Sequence, residues 1–348
     1  MKERLSPTSF DIPSELIKSG FYTDAYFLRT AEILKAANHH PTVLMQVFQR
    51  EHSVLCGVDE AIAVLKTCAG GPLKIKALYD GDEIEPWETV MTIEGDLADF
   101  TYLETIYLGI LARQSKIATN VRRAFEAAGG KTVLFFGARY DHYLMQKGDG
   151  HAIKIGGGIG VSTDANGFLG GKKGLGTIPH ALIAAFGGDT VKTAQAFDRY
   201  IDKAVNRTAL VDFDNDCVNA SLAVARELKE RLFAVRLDTS GNLVDKSIIP
   251  QMGVFTPNGV CAELVQNVRA ALDKEGFWHV KIMVSGGFTA EKIAEFEKNK
   301  APVDIYAVGS TFYDKNINFT ADVVLVNGQP AAKAGRSYRP NPRLADVF

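Results

Sequence analysis

Little in this 348-residue chain points to disulfides, zinc, nucleic acid or a membrane. The four cysteines, Cys56, Cys68, Cys217 and Cys261, form no C-x-x-C pair and have no histidine at zinc-ligand spacing. They read as reduced, buried thiols of a cytoplasmic protein. A formal net charge of -2 without a long basic run gives no field that would recruit nucleic acid or an anionic bilayer. Apolar residues nowhere run uninterrupted for about 20 positions, and the opening MKERLSPTSFDIPSELIKSG lacks the apolar core of a signal sequence. The expectation is a chain that is neither exported nor membrane-spanning. The dinucleotide fingerprint is missing too, since the glycines at 156–160 have the wrong spacing. Residues 80–96, DGDEIEPWETVMTIEGD, have the rhythm of a lipoyl or biotin carrier but no lysine to modify.

What is present suits a soluble globular protein: 46% hydrophobic and 23% charged residues, and a length that exceeds one ordinary core. Residues 1–115 read as a small α/β sandwich domain. Its elements are a helix ending before Pro41, strands near 42–50, 73–79 and 89–95, and a helix near 59–70. Thr23 and Asp24 stand where a cap for the first helix belongs, beside Tyr22 and Tyr26. A long helical stretch over 100–130 leads to the second domain, 116–326, and the tail 327–348 is expected to return to the first.

The second domain repeats short apolar strands followed by helices. The strands are expected at 132–137, 152–157, 209–214, 233–238, 280–287, 303–310 and 321–326. Near-continuous apolar runs indicate parallel strands buried on both faces, and the alternation with helices indicates an α/β barrel or a doubly wound sheet. Polar residues collect at the strand ends: Arg139, Asp212, Asp214, Arg236, Asp238, Ser285-Gly286-Gly287 and Gly309-Ser310-Thr311. Several strand ends contribute, which is how a barrel builds its site.

Residues 172–189, KKGLGTIPHALIAAFGGD, bring Lys172, Lys173, two glycines and Thr177 before Pro179 and His180 at a helix start. Such a start suits an anion through free backbone donors and the helix dipole; an ordinary loop with a packed histidine is the alternative. Together the strand ends offer arginines for a carboxylate, glycine turns for phosphate, and carboxylates for Mg²⁺ or sugar hydroxyls.

The order F-Y-T-D-A-Y, L-E-T-I-Y, S-K-I-A-T, F-G-A-R, G-T-I-P-H-A, L-V-D-F-D, V-R-L-D-T-S-G, S-G-G and A-V-G-S-T over residues 20–312 resembles the nicotinate phosphoribosyltransferase family. That resemblance implies the type II phosphoribosyltransferase fold, an irregular barrel with a small N-terminal domain. It implies joining of nicotinate to 5-phosphoribosyl-1-pyrophosphate, with Mg²⁺ and with ATP as co-substrate. Asp238 and Asp212 would hold ribose hydroxyls or Mg²⁺. Arg139 would take a carboxylate or phosphate, with Tyr22 or Tyr26 stacked on the pyridine and Thr23, Lys154, Lys172, Thr177 and Arg236 around the substrates. Ser285, Gly286, Gly287, Gly309, Ser310 and Thr311 would hold the 5-phosphate. His180 would be phosphorylated by ATP, although Pro179 and Ala181 stand where a small residue and a serine are usual. At least a homodimer sharing its active sites is implied. No cysteine follows Cys261, so the cysteine-rich zinc knuckle of some relatives is not expected. The rivals are a quinolinate enzyme, for which Lys154 and Lys172 could add cations, a nicotinamide enzyme with Asp141 near the amide, and a non-catalytic nucleotide sensor.

Overall fold

The computed structural model describes residues 3–253 and 255–347, which fall into two compact units. The first unit comprises Met1–Thr119, His151–Gly156 and Tyr313–Phe348. Its sheet runs in the order Gln329–Pro330, Thr320–Val326, Thr42–Phe48, Thr89–Asp96, Lys74–Ala77 and Ala345–Asp346, with every pairing antiparallel. Alternating side chains bury one face against the helices Val58–Cys68 and Glu104–Ala127, around Val47, Leu65, Met91, Tyr107 and Leu111. The helix Val58–Cys68 starts at Gly57, whose φ of +90° and crowding against Ile110 exclude a side chain there.

The second unit, Asn120–Gly150 and Gly157–Phe312, is built on six parallel strands. They are β1 Thr132–Phe135, β2 Gly160–Val161, β3 Arg207–Leu210, β4 Leu232–Leu237, β5 Lys281–Val284 and β6 Ile305–Val308. Their order is β2-β1-β6-β5-β4-β3. Each strand therefore neighbours its sequence neighbours and β6 returns to β1, as in a barrel; among the described residues only the β2 to β3 step lacks pairing. The result is a curled parallel half-barrel. The connection from β2 to β3 carries the helices His180–Ala185 and Thr190–Tyr200, the second capped by Asp189 accepting from Lys192 N at 2.9 Å.

Two expected strands are placed differently. Residues 152–157 are not a barrel strand: they end the helix Gln146–Gly156. Ile-Lys-Ile imitates strand alternation, but the helix buries Asp149, His151, Ala152 and Ile153 together, which conceals its period. Residues 321–326 do form a strand, but it lies antiparallel to Thr42–Phe48 in the first unit. A continuous apolar run indicates burial and does not specify the partner. At the first helix neither candidate caps: Thr23 Oγ1 donates to Tyr102 O and Asp24 accepts from Thr105 Oγ1.

Candidate active site

Five of the six parallel strands, all but β2, contribute their ends to a cavity of about 500 Å³ within the second unit. Phe136, Arg139 and Tyr140 follow β1, Arg236 and Asp238 end β4, Ser285–Gly287 follow β5, and Gly309–Thr311 follow β6. Pro179, His180 and Ala181 reach it from the β2 to β3 connection. Pro179 sits at the N-cap, with His180 the first helical residue, so the ring a proline adds costs no hydrogen bond.

Arg236 is committed within this wall. Its Nη2 donates to Asp238 Oδ2 at 2.8 Å, its Nε to Ser285 Oγ at 2.9 Å and its Nη1 to Thr177 Oγ1 at 3.1 Å. Ser285 Oγ donates onward to Asp238 Oδ1 at 2.6 Å, and the guanidinium lies over the Phe136 ring. Two strand ends, with Thr177 of the β2 to β3 connection, thereby hold one carboxylate in a fixed orientation.

A second carboxylate, Asp212, follows β3. Both its oxygens lie 3.0 Å from His180 Nε2. Burial raises its carboxyl above the ordinary value, the His180 ring opposes that, and Asp238 adds to it. Arg139 is exposed on the turn Ala138–Tyr140, where Tyr140 OH lies 3.4 Å from Nη2 and shifts the guanidinium upward.

Gly286 and Gly287 have φ of +88° and +72°, a pair of left-handed residues that only glycine adopts without strain. A Cβ on Gly286 would stand 3.4 Å from Asp238 Oδ1, and one on Gly309 would stand 2.8 Å from the Tyr140 ring. Ser310 opens the turn Ser310–Tyr313, and Thr311 Oγ1 donates to Phe288 O at 2.8 Å.

Other sequence candidates lie elsewhere. Lys172 Nζ donates to Ile159 O, while Lys173 Nζ and Gly174 N both bind Asp164, so both lysines are engaged within the chain. Lys154 is exposed on the helix Gln146–Gly156, and with Tyr22, Thr23 and Tyr26 it belongs to the first unit. Sequence reasoning passed over Phe136, Tyr140 and Phe288, which line the cavity. Their position, within three residues of Arg139 or Gly287, was the available signal.

Two protein-family models match: the quinolinate phosphoribosyl transferase N-terminal domain over residues 24–115 and its C-terminal domain over residues 117–318. A nicotinate phosphoribosyltransferase of Mycobacterium tuberculosis is 29% identical over 277 residues, covering 77% of this chain and 57% of that protein. Another, from Bacillus subtilis, is 26% identical over 251 residues, covering 69% of this chain and 46% of that protein. The chain spans about half the length of these curated relatives. Among solved structures, the nicotinate-nucleotide pyrophosphorylase of Pyrococcus furiosus is similar with a TM-score of 0.83 at 38% identity, covering 97% of this chain and 82% of that one. Human nicotinic acid phosphoribosyltransferase shares the fold, with a TM-score of 0.62 at 19% identity and coverage of 89% and 76%.

Proposed function

The chain belongs to the quinolinate phosphoribosyltransferase family, and within that family we propose that it takes nicotinate as substrate, joining it to 5-phosphoribosyl-1-pyrophosphate to give nicotinate mononucleotide and pyrophosphate in NAD biosynthesis. One observation carries the choice of base. Of the cationic side chains lining the cavity, Arg236 is engaged by Asp238 and His180 by Asp212; among the described residues Arg139 alone has no carboxylate at ion-pair distance. One uncommitted guanidinium suits one carboxylate. Quinolinate is the second reading, favoured by the matching family models, and it carries two carboxylates that each need a cation.

In this reading the bond from ribose C1 to the pyrophosphate oxygen breaks, its electron pair leaves with pyrophosphate, and the pyridine nitrogen bonds to C1. Cationic character on the ribose is met by Asp238, held in place by Arg236 and Ser285. The backbone at Gly286–Gly287 and Gly309–Thr311 would receive the 5-phosphate, and Tyr140 beside Arg139 offers a face for the pyridine ring. Positioning carries the rate, because the ring nitrogen is already a nucleophile.

Mg²⁺ fits the donor set as a hydrated ion. The oxygens of Asp238 and Asp212 are already paired, so they would hold its waters, and a bound ion would neutralise the departing pyrophosphate. With His180 Nε2 donating to Asp212, Nδ1 keeps its lone pair and would accept a phosphoryl group from ATP. A homodimer with shared sites is the accompanying assembly.

The test is to supply Mg²⁺ and phosphoribosyl pyrophosphate with nicotinate, nicotinamide or quinolinate, with and without ATP, and to quantify mononucleotide, CO₂ and ADP. Mononucleotide from nicotinate, increased by ATP with matching ADP, is the expected result. Turnover of quinolinate alone, with CO₂ release, would overturn the choice of base. Absence of product from every base would favour a non-catalytic nucleotide binder.

A further inference from the structure

The first unit contains a buried cluster that the transferase reaction does not use. Cys56 Sγ, a carboxylate oxygen of Asp80 and a ring nitrogen of His151 lie within 4.8 Å of one another. Cys56 is fully buried, and the side chains of His151 and Asp80 are 8% and 7% exposed. Each is held from outside the cluster. The Cys56 backbone is clamped by Ser115, whose Oγ accepts from Cys56 N at 2.9 Å and donates to Cys56 O at 3.1 Å. Asp80 Oδ1 accepts from Val58 N at 2.8 Å, leaving Oδ2 to accept from His151 Nε2 at 2.8 Å. His151 rides on the helix Gln146–Gly156.

Among the described residues the surroundings are short of positive charge. Asp59 and Glu60 stand in the first turn of the neighbouring helix, close to Asp80. Arg4 neutralises Asp59 at 2.9 Å, whereas among the described residues Glu60 accepts only from the neutral amide of Gln114 at 2.5 Å. Two carboxylates, Glu60 and Asp80, thus share the single ring of His151. An uncompensated negative charge in a poorly hydrated interior is costly, and a divalent cation removes that cost.

We propose that Cys56 Sγ, Asp80 Oδ2 and His151 Nε2 form a binding site for a transition-metal ion of the Zn²⁺ class, with Glu60 or water completing the coordination. The sulfur, nitrogen and oxygen donor set suits Zn²⁺ and Co²⁺, and the thiol disfavours Mg²⁺ and Ca²⁺. On binding, the Cys56 thiol gives its proton to solvent and forms a bond from sulfur to the metal. The His151 proton moves to Nδ1 so that Nε2 can donate its lone pair. The ion would tie together three segments far apart in sequence, so no local cysteine spacing announces it. This site is independent of the proposed nicotinate chemistry, which lies in the second unit.

The test uses the full chain stripped of metal by chelator, then titrated with Co²⁺ and with Zn²⁺. Expected are one ion per chain, a thiolate-to-cobalt charge-transfer absorption in the near ultraviolet, and a higher unfolding temperature with Zn²⁺. Cys56→Ser should abolish that absorption, and Cys56→Ser or His151→Gln should each weaken Zn²⁺ binding beyond the roughly 10- to 100-fold that an outer-shell partner costs. Cys261→Ser, which alters a thiol of the second unit, should change neither. A folded natural chain with no charge-transfer absorption and no Zn²⁺-dependent rise in unfolding temperature would overturn the site, even where the variants fail to fold. So would unchanged absorption in Cys56→Ser.

Discussion

His180 Nε2 stands 3.0 Å from both carboxylate oxygens of Asp212, with the ring 45% exposed to the cavity side and the carboxylate nearly buried. A buried carboxylate behind an exposed imidazole fixes the ring and directs its other nitrogen outward, the arrangement a nucleophilic histidine needs. His180→Ala is expected to bring the ATP-stimulated rate down to the unstimulated rate while nicotinate transfer without ATP survives. Asp212→Asn should lower the stimulated rate by roughly 10-fold or more through loss of ring orientation. Assays of mononucleotide and ADP on the same samples check both; ATP stimulation that persists in His180→Ala removes the histidine from the mechanism.

Asp238 is the better constrained of the two carboxylates, and Gly286 lies close behind it. Gly286→Ala and Gly287→Ala both force alanine into a positive φ, at a cost of about 1 kcal/mol or more each. Only at Gly286 does the added Cβ approach Asp238, at 3.4 Å; beside Gly287 there is open space. The two variants should therefore lose similar stability in urea unfolding, while Gly286→Ala loses more kcat/KM for phosphoribosyl pyrophosphate. Equal kinetic loss would show that backbone strain alone matters there.

Asp198 anchors the helix Thr190–Tyr200 to β3. Its oxygens take Arg207 Nε at 3.1 Å, Lys203 Nζ at 3.1 Å and a close contact from Arg231, and Arg207 is 4% exposed. Removing the carboxylate strands a buried guanidinium, so Asp198→Ala should cost about 3–5 kcal/mol. The urea midpoint measures this directly, and a loss below about 1 kcal/mol would mean that the backbone carbonyls bonded to Arg207 suffice.

Glu104, at the start of the long helix of the first unit, has its carboxyl raised to about 7, first by burial and then by Asp322. A carboxyl raised on folding binds its proton more tightly in the folded state, so stability falls as pH rises from the unfolded value of 4.5 to about 7. Above that range the cost is fully present and amounts to at most about 3 kcal/mol. Glu104→Gln should remove this slope and be more stable than the natural chain at pH 8, with little difference at pH 4. Parallel pH profiles for the two proteins would refute the assignment of the slope to Glu104.

The sequence made the chemistry legible where a near-continuous apolar run ends in polar residues. Arg236 and Asp238 after β4, Ser285 after β5 and Gly309 after β6 could each be placed because the run fixes where the strand stops. Lys172 and Lys173 illustrate the reverse. Their charge suggested an anion, but Asp164 binds back to Lys173 and Gly174, nine and ten residues later, across a turn that no periodicity describes. Gln114 and Ser115, a polar interruption of an otherwise apolar helix, are buried because Glu60 and Cys56 supply their partners. Long-range pairing of buried polar groups has no local signature, and the Cys56, Asp80 and His151 cluster escaped notice for that reason.

Arg139 offers the most direct test of the base. Its guanidinium contacts Tyr140, whose hydroxyl is 3.4 Å from Nη2 and whose ring centroid is 5.3 Å from Cζ. A charge-assisted hydrogen bond is worth about 1.5–3 kcal/mol, so Arg139→Ala should raise KM for nicotinate roughly 10- to 100-fold. A base without the carboxylate gains nothing from Arg139, so nicotinamide, if turned over at all, should be used no worse by the variant. Arg139→Lys keeps the charge but not the planar fork and should recover only part of the loss. An unchanged KM for nicotinate in Arg139→Ala, with the fold intact, would assign its carboxylate to another cation and remove the observation on which nicotinate is preferred to quinolinate.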